Sequence, residues 1–174
     1  FLLSSNVGEI VVLFIAILIT PWLANTFGIT QEYINYLEPL LPIQILWINL
    51  VTDSLPALAL AYDPAEKDVM KRKPAKNSKG VFTKGLSFRV IYQGIMIGLL
   101  TLIAFICGLS TNSPDQMVKI DTAQTMAFAV LAFSELVHVF NVRNNKKSIF
   151  KSNPFNNKYL ILATIVSAAL MFIV

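Results

Sequence analysis

The sequence predicts an all-α membrane protein, a polytopic bundle of about five transmembrane helices. Three observations carry this. Of the 174 residues, 55% are hydrophobic and 14% charged, and mean hydropathy is +0.64. That is too apolar for an ordinary soluble domain and too regular for disorder. The apolar residues fall into five runs near the ~20 residues that cross a bilayer core. The basic residues crowd into alternate loops, as they do in multi-pass proteins.

The runs cover about 2–24, 40–62, 88–109, 122–140 and 159–174. The first four are long enough to span, and the last is slightly short. The first is already apolar at Phe1 with no basic region before it, unlike a signal peptide. Both ends are expected to be cuts from a longer protein. Loop 63–87 and the start of the third run hold Lys67, Lys71, Arg72, Lys73, Lys76, Lys79, Lys84 and Arg89. Loop 141–158 holds Arg143, Lys146, Lys147, Lys151 and Lys158. Together these are thirteen of the fourteen basic residues. The other two loops carry only Lys119, against Glu32, Glu38, Asp115 and Asp121. The positive-inside rule makes the two basic loops cytoplasmic. The net charge of +4 is thus a matter of topology, solubility and contact with the lipid bilayer, and no nucleic-acid partner is expected. Cys107 stands alone in an apolar run and forms no internal disulfide.

Three acidic residues lie at membrane depth: Glu9, Asp53 and Glu135. No lysine or arginine accompanies them. A carboxylate at the bilayer centre costs roughly 2.5–3.5 kcal/mol on insertion scales, so each is expected to be protonated, to bind a cation, or to pair with another part of the protein. Asn49, Thr52 and Asp53 sit at i, i+3 and i+4, one face of a helix, and Asn6 and Glu9 are three apart on another. Cysteine is missing from the cluster, and the single histidine, His138, lies one turn beyond Glu135. Oxygen donors alone argue against Zn²⁺ or Cu⁺ and suit a hard cation. Ca²⁺ takes six to eight oxygens in flexible geometry. Polar packing between helices and a proton relay are the competing readings. Pro42 and Pro56 bracket the polar triplet. Pro56 has no N–H for the carbonyl of Thr52, and a carbonyl freed beside Asp53 is a candidate ligand.

At this point the residues resemble a family. Ser4-Ser5-Asn6-Val7-Gly8-Glu9 is similar to the fifth transmembrane helix of the Ca²⁺-transporting P-type ATPases. Trp47-Ile48-Asn49-Leu50-Val51-Thr52-Asp53-Ser54-Leu55-Pro56 resembles their sixth. The stretch from Asp63 to Arg72 is similar to the cytoplasmic loop that follows, and Thr125-Met126-Ala127-Phe128 through Glu135 resembles the eighth helix. The likeness runs the length of the chain, in order, and points to bacterial pumps similar to the sarco/endoplasmic reticulum type.

The resemblance implies the fifth to ninth helices of the transport domain, in a bacterial plasma membrane. Asn6, Glu9, Thr52, Asp53 and Glu135 match the ligands of one Ca²⁺ site; Asn49 and Asp53 match part of a second, with Asp53 bridging both. A glutamate and carbonyls of a fourth helix would complete the second. Ser54 stands where glycine is common. Asn49 stands where Na⁺/K⁺ pumps carry aspartate, and Glu9 matches a glutamate that secretory-pathway pumps lack; both favour Ca²⁺. The Asp-Lys-Thr-Gly phosphorylation motif does not occur in the chain. ATP and Mg²⁺ would therefore act only in cytoplasmic domains of the parent ATPase, which with its remaining helices would be this chain's partners. A free-standing, non-enzymatic cation-binding scaffold or leak pathway is the alternative.

Overall fold

The computed structural model describes residues 1–63, 84–143 and 157–173. Their regular structure is helical, and four segments are long and apolar enough to cross a membrane.

Helix α1, Leu2–Phe27, runs three residues past the expected end. It stops where Gly28 takes a left-handed backbone, φ 66°. That conformation costs glycine nothing and lets Ile29 N–H turn back to the Ala24 carbonyl at 2.8 Å. A 3₁₀ turn, Gln31–Tyr36, follows. It is strapped to the start of α5 (Gln116–Val142). Gln116 Oε1 accepts from Thr30 N, and Gln124 Nε2 donates to the carbonyls of Tyr36 and Glu38 at 3.1 and 3.0 Å.

The second span, Pro42–Leu60, is broken in the middle. It consists of α2 (Pro42–Trp47), a π-helical turn (Ile48–Thr52) and α3 (Ser54–Leu60). Pro42 opens α2 at its first position, where a missing N–H is harmless. Asn49 and Thr52 thus fall in the wide turn and Asp53 closes it, its N–H bonding the Ile48 carbonyl five residues back.

Helix α4, Lys84–Leu109, begins earlier than position 88. Helix α5 begins before position 122, because Asp115 caps it through Met117 N at 2.9 Å. Asp121, expected in a loop, is therefore helical. Helix α6, Lys158–Leu170, is capped by Asn157 and ends in a 3₁₀ turn, Met171–Ile173. The remainder of the basic loops, 64–83 and 144–156, lies outside the described residues.

Helix α4 packs between α1 and α5, while α3 and the π turn lie against α6. A Cβ on Gly98 would stand 2.8 Å from the Gly8 carbonyl, so α1 and α4 meet backbone to backbone there. The bundle is apolar outside: Ile10, Phe14, Ile17 and Leu18 on α1, Leu46 and Leu50 on the second span, and Leu162 and Ile165 on α6 are all exposed. Its interior buries Ser4, Ser5, Glu9, Thr52, Asp53, Glu135, His138 and Ser167 beside the aliphatic core. This inversion of the soluble pattern is that of a multi-pass membrane bundle.

Candidate ion site

The second span is loosened where its oxygens are most numerous. Thr52 and Asp53 are fully buried, and Asn49 is half-buried one turn earlier. Helix α1 brings Glu9 to the same region, 6% exposed, and α5 brings Glu135, 0% exposed. The three carboxyl groups lie within electrostatic reach of one another.

Their hydrogen bonding is uneven. Both Glu9 oxygens accept from Asn49 Nδ2, at 2.8 and 2.9 Å, and that amide also donates to the Ile45 carbonyl at 3.1 Å. Asp53 Oδ1 and Oδ2, Glu135 Oε1 and Oε2, Thr52 Oγ1 and Ser5 Oγ are buried without a hydrogen-bond partner. A buried carboxylate with no donor is costly. Two of them, grouped with two hydroxyls, form an all-oxygen set suited to a hard cation. Among the described residues, no three acidic, histidine or cysteine side chains converge tightly enough to hold an ion by themselves. Amide, hydroxyl and carbonyl oxygens are needed as well.

Asn6 is exposed on the described bundle, on the flank of α1 beside the buried face. Ser5, buried and four residues before Glu9, is the nearer neighbour of Asp53 and Glu135. Its i, i+4 spacing from Glu9 marks it as a neighbour, but no more strongly than the i, i+3 spacing of Asn6 does. The carbonyl of Thr52, expected to be free, accepts from Ser167 Oγ at 3.2 Å. Nothing in the sequence pairs positions 115 residues apart.

His138 stands apart from the carboxylates. Its Nε2 is 2.7 Å from Ser4 Oγ, and Ser4 Oγ donates to the Phe1 carbonyl. Nδ1 of the same ring is buried without a hydrogen-bond partner. At the same end of the bundle Arg143 Nε donates to both oxygens of Asp63, at 2.8 and 2.9 Å. Asn157 Nδ2 donates to the Ala59 carbonyl and to Asp63 Oδ1. The ends of α3, α5 and α6 are tied together there.

Comparison with known proteins finds similar chains. Residues 37–174 match the C-terminal region of cation-transporting ATPases. A calcium-transporting ATPase of Bacillus subtilis is 45% identical over 174 residues, covering 100% of this chain and 17% of that protein. Calcium-transporting ATPase 1 of Bacillus cereus is 45% identical over 177 residues, covering 95% and 18%. An endoplasmic reticulum-type calcium-transporting ATPase of Arabidopsis thaliana is 30% identical over 193 residues, covering 98% and 18%. The chain spans less than a fifth of the length of these relatives.

Proposed function

Because this chain belongs to the cation-transporting ATPases, as a segment of their C-terminal membrane region, we propose that it binds and translocates Ca²⁺ within an ATP-driven pump of the bacterial plasma membrane. Its spans are the fifth to ninth helices of the transport domain. Asn6, Glu9, Thr52, Asp53 and Glu135 serve one ion, and Asn49 and Asp53 serve part of a second. The observation that carries the reading is the pair of buried carboxylates, Asp53 and Glu135, whose four oxygens make no close hydrogen bond although the Ser5 hydroxyl lies near both. The names of the relatives support Ca²⁺ over other hard cations.

Asn49 suggests how binding begins. Its Nδ2 donates to the Glu9 carboxylate, where a cation would otherwise sit. A half-turn of the amide presents Oδ1 instead and releases both Glu9 oxygens. Thr52 Oγ1 and the Asp53 carboxylate need no such release, since neither is engaged. The loosened turn that carries them changes shape at lower cost than a continuous helix. Phosphorylation elsewhere in the parent would move this turn between states of different Ca²⁺ affinity. ATP and Mg²⁺ belong to the cytoplasmic domains of that parent.

The test is Ca²⁺-dependent phosphoenzyme formation from ATP by the complete pump, with equilibrium binding of radioactive Ca²⁺. Activation at micromolar Ca²⁺ with two ions bound is expected. Activation by another cation with no Ca²⁺ bound would refute the reading.

A further inference from the structure

We propose that Ser167 is a positioning residue for the ion site: its hydroxyl holds the backbone at Thr52 and thereby sets ion affinity. This rests on the Ca²⁺ reading above and extends it to a helix that supplies none of the assigned ligands.

Thr20, Thr101, Ser110, Thr122, Thr125 and Thr164 each donate to the carbonyl four residues back in their own helix. That is the ordinary use of a hydroxyl in a membrane helix. Ser167 departs from it. Its Oγ passes over its own helix and donates to the Thr52 carbonyl on the second span, at 3.2 Å. Among the described hydroxyls, Ser54 Oγ also leaves the four-back pattern, reaching the Asn49 carbonyl within its own span at 3.3 Å, but only that of Ser167 donates to the backbone of a different span. Ser167 is 0% exposed, so water does not compete for the bond.

The acceptor is equally unusual. In a continuous helix the Thr52 carbonyl would take the N–H of residue 56, but residue 56 is Pro. The next N–H, that of Ala57, goes to Asp53 O at 3.0 Å. The bond from Ser167 therefore replaces the one the proline removed. It falls at the junction between the π turn and α3, directly before Asp53 and on the residue whose Oγ1 faces the site without a partner. A π turn has little stability of its own. Asn49 ties the start of the turn to Glu9, and the bond from Ser167 is the external one at its end, so it is a large share of what fixes the directions of Thr52 Oγ1 and the Asp53 carboxylate.

The experiment uses the complete pump. Ser167→Ala is expected to raise the Ca²⁺ concentration for half-maximal phosphorylation about three- to tenfold, the span of one net hydrogen bond. The maximal phosphoenzyme level and the ATP dependence should stay at wild-type values. Ser167→Thr keeps the hydroxyl and should return affinity to within about twofold, and the near-isosteric Ser167→Cys should fall between. Pro56→Ala supplies a backbone N–H for the same carbonyl, so Pro56→Ala/Ser167→Ala should match Pro56→Ala alone. Unchanged affinity in both Ser167→Ala and Ser167→Cys would overturn the proposal. So would additive losses in the double variant, which would mark Ser167 as acting on the ion directly. So would a fall in phosphoenzyme level together with ATP affinity, which would mark it as general packing. If the unmutated pump answers to a different cation, the Ca²⁺ reading fails by itself, and the Ser167 shift is read on that cation.

Discussion

Asp53→Asn should separate what the site costs the protein from what it does. Asp53 is fully buried at membrane depth, and neither of its oxygens has a donor. On insertion scales such a group costs roughly 2.5–3.5 kcal/mol, part of which neutralising it returns. Asparagine keeps the shape and adds an N–H₂ within reach of a site that holds the unpartnered oxygens of Glu135. One new hydrogen bond contributes about 0.5–1.5 kcal/mol net. The ion-free pump should therefore be stabilised by roughly 1–3 kcal/mol. Ca²⁺ acts the other way round. At a hundred times its dissociation constant, one bound ion stabilises the unmutated pump by about 2.7 kcal/mol. The variant should lose most of that gain, because the charge opposing Ca²⁺ is gone. The assay is thermal unfolding of the purified complete pump, followed by tryptophan fluorescence in chelator and in excess Ca²⁺, alongside Ca²⁺-dependent phosphorylation. The expected pattern is a higher midpoint in chelator, little or no further rise with Ca²⁺, and no phosphoenzyme. A variant less stable than wild type in chelator, with a full Ca²⁺ shift, would show that Asp53 is a structural residue and refute the reasoning.

Three further outcomes follow from other parts of the molecule. Glu9→Gln/Glu135→Gln should reduce bound Ca²⁺ from two ions per pump to about one, because neither residue is assigned to the second site; one ion before and after substitution would refute the two-ion assignment. Arg143→Ala and Asp63→Ala should each destabilise the pump, with a coupling of about 1–3 kcal/mol in a double-mutant cycle. Their side chains are 9% and 23% exposed, so a coupling under about 0.5 kcal/mol would show the pair to be no stronger than a surface contact. Gly108→Ala would place a Cβ on the Ala123 backbone and 2.9 Å from Ala123 Cβ; forcing α4 and α5 apart should cost about 1–3 kcal/mol. Gly85→Ala, which meets open space, serves as its control in the same unfolding assay, and equal stability of the two variants would contradict the close packing.

The parts of the fold that were legible in the sequence are those governed by transfer free energy. Long apolar runs marked the membrane helices because bilayer thickness fixes their length. Their ends were less legible, since local chemistry decides them. Gly28, by taking a left-handed turn, set the end of α1 at Phe27, and the Asp115 cap drew 116–121 into α5. The carboxylates were legible for the same reason as the helices: a charge in an apolar run is anomalous wherever it occurs. Their neighbours were not. Asn6 and Ser5 are adjacent in sequence, and periodicity alone could not determine which of them the packing of α1 would turn inward. Ser167 had no signal at all, because one hydroxyl in an apolar helix is ordinary until its acceptor is known.

The site helix is held at both ends and loose in the middle, and this limits how it can change. At one end Gln124 of α5 donates to the carbonyls of Tyr36 and Glu38, just before α2. At the other, Arg143 of α5 and Asn157 ahead of α6 hold Asp63, just after α3. Between them the π turn carries Asn49 and Thr52, with Asp53 directly after it. A rigid shift of the whole span would break both ties together, each of several hydrogen bonds. Rewinding the turn spares both ties and breaks the bonds within it, together with those from Ser167 and from Asn49 to Glu9. The cheaper motion is thus the one that reorients the Asp53 carboxylate and Thr52 Oγ1 while α5, with Glu135, stays in place. Under the proposed ligand assignment, the residues that change and the residue that stays would serve the same ion, so such a motion would alter its affinity.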